Sequence, residues 1–162
     1  MTEKGYLVER AKIIGAAEPK SWNATAFTGR YVSMKNYGHL TVIIHTGAWA
    51  AGTAAVTMWE ALDVAGTTPL QLNLDWMWTG TVASGALTKT AVVADTFLLA
   101  NVANTMYVIE LDAAELNTLG GGQDCVSVLV ATPGANADFY NIDYILSEPR
   151  YSEDNPPTAI LD

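Results

Sequence analysis

Cysteine is almost missing from this chain. Cys125 stands alone, so no intramolecular disulfide can form and any fold must rest on its core. Charge is scarce too. Charged residues make up 15% of the chain, against about 25% in an average domain. Only 8 of them are Lys or Arg, against 17 Asp and Glu, which leaves a net charge of −9. A phosphate backbone repels such a surface, because nucleic-acid affinity comes largely from cations that neutralise phosphates. Direct contact with nucleic acid is not expected. Long apolar runs are lacking, so no segment reads as a membrane span. The opening Met1-Thr2-Glu3-Lys4 does not start a signal-peptide pattern. The expectation is a soluble protein made in the cytoplasm and bound to no membrane.

Catalytic signatures are lacking as well. There is no Gly-x-Ser-x-Gly elbow, no His-Glu-x-x-His and no Cys-x-x-Cys. Gly120-Gly121-Gly122 is not followed by Gly-Lys-Ser/Thr, so it reads as a turn and not a phosphate loop. His39 and His45 are the only histidines. On one strand they would lie about 20 Å apart at ~3.3 Å per residue, too far to share a metal within one chain. The carboxylate pairs Asp63/Asp75 and Asp138/Asp143 would need a common cleft to act as a dyad. No enzyme activity, metal or cofactor is expected. Cys125 lies in an apolar run and reads as a buried, inert thiol.

What the chain does have is short apolar alternation, broken by Gly, Pro, Asn and Thr. Half of its 162 residues are hydrophobic. Alternation with period 2 marks strands with one core-facing side. His39–His45 is the clearest case, with Leu40, Val42 and Ile44 on one face. Thr53–Leu62 follows, carrying Val56 and Met58, and Asp63–Pro69 reads as a turn. Leu70–Trp78 reads as one strand with Leu72, Leu74, Trp76 and Trp78 aligned and Trp76 in the core. Thr79–Ala86 reads as a loop and Leu87–Val93 as an edge strand. Met106–Leu111 presents Tyr107, Ile109 and Leu111. Asp112 and Glu115 have the spacing of a capping box at a helical turn. Cys125–Val130 and Phe139–Leu146 complete the set. With no helical stripe to make parallel crossovers, the sheets should be antiparallel. The fold class expected is all-β: a sandwich or jelly roll of about seven or eight strands.

The ends differ from this middle. Residues 1–27 carry one weak strand, at Ala11–Ile14, and read as an arm and linker. Residues 28–147 read as the sandwich, and 148–162 as an extended, Pro-containing tail. Aperiodic ends can strap onto a neighbour. Tyr6, Leu7, Val8, Tyr151, Ile160 and Leu161 are apolar enough to dock, and Trp49, placed in a loop, is a further contact candidate. Trp76 and Trp78 on one strand face also suggest a platform for sugars, the main alternative to an assembly role.

The segments Tyr31–Tyr37, His39–His45, Val56–Gly66, Tyr107–Asp112, Asp124–Val126 and Tyr144–Tyr151 together resemble a family of small proteins of tailed bacteriophages and prophages, encoded near the capsid genes. The resemblance runs from about Gly5 to Ile160. It carries no site motif, and it implies a virion structural protein without enzyme activity. The role expected from it is a capsid decoration, or cement, protein. Such a protein would sit on the outer surface of the phage head as a homo-oligomer, a trimer by preference, with the major capsid protein as its partner. A head–tail connector or tail component is the alternative within the same particle.

Overall fold

The computed structural model describes residues 6–22, 25–100, 102–116, 120–134, 138–150 and 157–160. A four-residue helix, α1 (Leu7–Arg10), precedes twelve strands: β1 (Lys12–Ser21), β2 (Phe27–Thr28), β3 (Val32–Ser33), β4 (Tyr37–Thr46), β5 (Ala54–Ala61), β6 (Leu70–Gln71), β7 (Trp76–Thr81), β8 (Thr88–Ala91), β9 (Phe97–Leu99), β10 (Thr105–Asp112), β11 (Cys125–Val130) and β12 (Phe139–Pro149). One sheet has the order β1-β12-β4-β10-β7-β8. The other runs β2-β11-β5-β6, with β3 added to β11 and β9 to β5. Every ladder is antiparallel. The chain is an all-β antiparallel sandwich.

Alternation builds the core as the sequence implies. Leu40, Val42 and Ile44 of β4 are fully buried, with Ile109 of β10 and Ile142, Tyr144 and Leu146 of β12 beside them. Ala54, Val56 and Met58 of β5 and Val126, Val128 and Val130 of β11 face them from the second sheet, in one continuous cluster. Each large aliphatic side chain placed there contributes about 1.5–3 kcal/mol relative to leaving it in water. Cys125 is buried within β11. Tyr144 crosses the layer, and its hydroxyl accepts a hydrogen bond from the Val128 amide at 3.0 Å. Burial drives its pKa up to about 12, which keeps the phenol neutral. Gly29 lies against that hydroxyl, and a Cβ there would overlap it and crowd the Val128 carbonyl.

Four expectations need correction. The count of seven or eight strands is too low, because β2, β3, β6 and β9 are ladders of two or three residues. Such ladders are created by their partners and are too short to show a period. The N-terminal arm is in large part a strand: β1 pairs along β12 from Lys12↔Leu146 to Ser21↔Phe139. Two register shifts interrupt it, so its faces do not alternate cleanly and Ala11–Ile14 was all that showed. Leu70–Trp78 is not one strand. Leu70–Gln71 pairs with β5 in the second sheet, and Trp76 begins β7 in the first, so the chain changes sheets between them. Leu72 and Leu74 are buried at that crossing. The expected loop Thr79–Ala86 begins inside β7, whose pairing with β10 runs to Thr81.

The tail also meets its own domain. The Ala159 carbonyl accepts from the Ser33 amide at 2.7 Å, Ala159 is buried, and the Tyr37 hydroxyl donates to the Pro157 carbonyl.

Candidate functional site

Antiparallel register fixes which side chains meet on the outer face of the first sheet. Pairing of β4 with β10 sets His39 opposite Asp112, and Thr41 opposite Glu110. Pairing of β10 with β7 sets Val108 opposite Trp78, and β7 with β8 sets Trp78 opposite Lys89. Odd positions of β4 and even positions of β10 share this face, because Leu40, Val42, Ile44, Tyr107, Ile109 and Leu111 take the other.

His39 is the hub. Its Nδ1 lies 2.6 Å from Asp112 Oδ1, and its Nε2 is bonded to Glu110 Oε2. Thr41 Oγ1 donates to the same Glu110 oxygen at 2.8 Å. Partial burial opposes a charge on the imidazole, but the hydrogen bonds to Asp112 and Glu110 outweigh it and raise its pKa. The His side chain is one quarter exposed, and the pair of carboxylates favours its protonated form at the rim of the sheet. Asp112 begins a one-turn helix, Ala113–Glu115, in which the Glu115 carboxylate accepts from the Asp112 amide at 2.9 Å. The capping box read in the sequence is present and brings a further carboxylate to the same corner.

A cavity of about 190 Å³ opens there, lined by His39, Asn73, Leu74, Asp75, Trp76, Trp78, Glu110, Leu111, Asp112 and Glu115. Leu74 and Leu111 are buried. Lys89 lies outside the lining, with Nζ 4.3 Å from the Trp76 ring centroid and 5.3 Å from that of Trp78. Both distances are within cation–π range. The corner thus combines aromatic walls with four carboxylates and one imidazole. No group of three or more His, Cys, Asp or Glu among the described residues is arranged to hold a metal ion.

The other singled-out residues fall elsewhere. Trp76, expected in the core, is 46% exposed on the outer face. The crossing of the chain from one sheet to the other breaks its alignment with Leu72 and Leu74. Trp49, expected as a loop contact, is buried, and its Nε1 donates to the Gly52 carbonyl at 3.0 Å. The loop folds back over the core, so Trp49 offers little surface to a partner. Tyr6, Leu7 and Val8 are exposed on and before α1, and Ile160 is partly exposed. Tyr151 and Leu161 lie outside the described residues. His45 sits at the outer end of β4, opposite Met106 and away from the His39 cluster.

Neither carboxylate pair forms a dyad. Asp63 accepts from the Thr67 side chain and from the Thr67 and Ala65 amides in its own turn, and these bonds lower its pKa. Asp138 is buried and accepts from the Ala50 amide, while Asp143 accepts from Asn141. What sequence reading missed was the His39–Glu110–Asp112 cluster. Its members stand about 70 positions apart, and only the β4–β10 register joins them.

No family model matches the chain, and no curated protein does. Among solved structures it is similar to the SPBc2 prophage-derived protein YomS, with 14% identity, 85% of this chain and 93% of that one covered, and a TM-score of 0.47. It also matches a structure of the infectious bursal disease virus Gt strain, with 9% identity, 86% and 41% coverage, and a TM-score of 0.28. Both scores fall below 0.5, and the sandwich assignment rests on the strand pairing above.

Proposed function

We propose that this chain is a non-enzymatic structural protein of a bacteriophage virion, and within it a decoration protein on the outer surface of the head. The observation that carries the reading is the position of its exposed apolar side chains. At one edge of the first sheet, α1 leads into β1, and Tyr6, Leu7 and Val8 are 73%, 59% and 64% exposed. At the opposite edge, the β7–β8 hairpin carries Val82 and Leu87, exposed at its tip. Leu98 and Val102, also exposed, line a groove of about 360 Å³ with Met77 and Tyr107. Clustered exposed hydrophobics mark contact surfaces. Two such surfaces on opposite edges suit a subunit that touches one neighbour on each side, as a homotrimer bound to the major capsid protein does. The resemblance to phage virion proteins supports the same role, and so does a surface of low charge.

The reading is tested by counting copies per purified particle by quantitative mass spectrometry. Hundreds of copies, lost with the heads, support decoration. Six to twelve copies would make the chain a connector, and absence from particles would remove the virion reading altogether.

A further inference from the structure

The cavity beside His39 has a chemistry of its own, independent of where the protein resides. We infer that it is a binding site for an arginine side chain presented by a partner protein, held between the tryptophan walls and the carboxylates.

Charge selects the occupant. Asp75, Glu110, Asp112 and Glu115 line the cavity, against one imidazole at His39. An anionic ligand is repelled, and a neutral one leaves the excess negative charge uncompensated. The Asp75 carboxylate is available, with no hydrogen-bond or ion-pair partner among the described residues. The aromatic wall points the same way. The Trp76–Trp78 pair already carries a cation in this molecule, the Lys89 ammonium, and Lys89 is not among the residues that line the cavity.

Among cations, geometry favours guanidinium. It is planar, stacks on an indole and forks onto a carboxylate, whereas an ammonium is a strongly hydrated point charge. Calcium and magnesium need six or more oxygen ligands at about 2.0–2.6 Å, and no group of three or more His, Cys, Asp or Glu among the described residues is arranged to hold a metal ion. A volume of about 190 Å³ admits the end of one side chain.

The test is a titration of the full chain with N-acetyl-arginine amide, followed through the indole N–H resonances of Trp76 and Trp78. The expected result is a saturable shift with Kd in the millimolar range, as befits one side chain without the rest of its protein. Asp75→Asn, which removes a carboxylate that supports nothing else in the fold, should weaken it by about fivefold, and added salt should weaken it further. N-acetyl-glutamine amide should leave both resonances in place. No saturation by about 50 mM, an equal response to the glutamine probe, or undiminished binding by Asp75→Asn would each overturn the assignment. So would a response to N-acetylglucosamine in its place.

Discussion

On one face of β10, Tyr107, Ile109 and Leu111 lie inside the sandwich. On the other, Met106, Glu110 and Asp112 lie among β4 and β7 side chains towards solvent, with Val108 covered between Ile43 and Trp78. One strand thus serves two environments, and its faces respond to different physics. Inside, apolar area is removed from water and the exact partner matters little, provided that volume is filled. Outside, what matters is which residue stands opposite which. His39 finds Asp112 only because the register is what it is; a slip of one residue would turn it to the other face.

The sharpest test of that contrast compares two isoleucines. Ile109→Ala opens a cavity in a fully buried position and should cost about 2–5 kcal/mol. Ile43→Ala removes the same atoms from the outer face of β4, where Ile43 is only partly buried opposite Val108. Its cost should be under half of that. Urea denaturation of both variants checks it, and equal losses would mean that the outer face is as closed as the inner.

A second test stays inside but concerns polarity. Tyr144→Phe leaves the Val128 amide buried without its acceptor, which should cost about 1–3 kcal/mol. The result sharpens the comparison, since it separates the value of the polar contact from that of the ring. A loss near zero in denaturant melts would show that the Val128 amide finds another acceptor.

The inner face was largely legible in the sequence. Leu40, Val42 and Ile44, or Tyr140, Ile142, Tyr144 and Leu146, are apolar at every second position, and burial demands that pattern whatever the partner strand. The capping box at Asp112 was legible because it is local. Pairings that hold two residues, such as Leu70–Gln71 with β5, left no trace, and β1, whose bulges break its period, showed only over Ala11–Ile14. Trp49 and Trp76 were exchanged between core and surface for one reason. A tryptophan suits either place, and which one it takes is decided by where the chain crosses between sheets. The His39 cluster was invisible because it joins positions far apart in sequence, and only a β4–β10 register can supply it.

The smallest effect should come from that cluster, and it should depend on pH in one direction. His39 has its pKa raised in the folded chain by Asp112 and Glu110, against the opposing effect of burial. In the unfolded chain it titrates near ~6.5. Below that pH both states hold the proton, and the stabilisation by the charged pair is fully present. As pH rises through the folded pKa the proton is lost and the stabilisation goes with it. His39→Gln should therefore cost most in mildly acidic buffer, where the carboxylates are still ionised, and progressively less towards alkaline pH. The cluster is partly open to solvent, so the largest difference should stay within about 1 kcal/mol. Paired denaturant melts of the parent and His39→Gln across this range read it directly. A gap that widens with pH would mean that the imidazole acts as a neutral hydrogen-bonding ring, and that the outer face, like the inner, is held without charge.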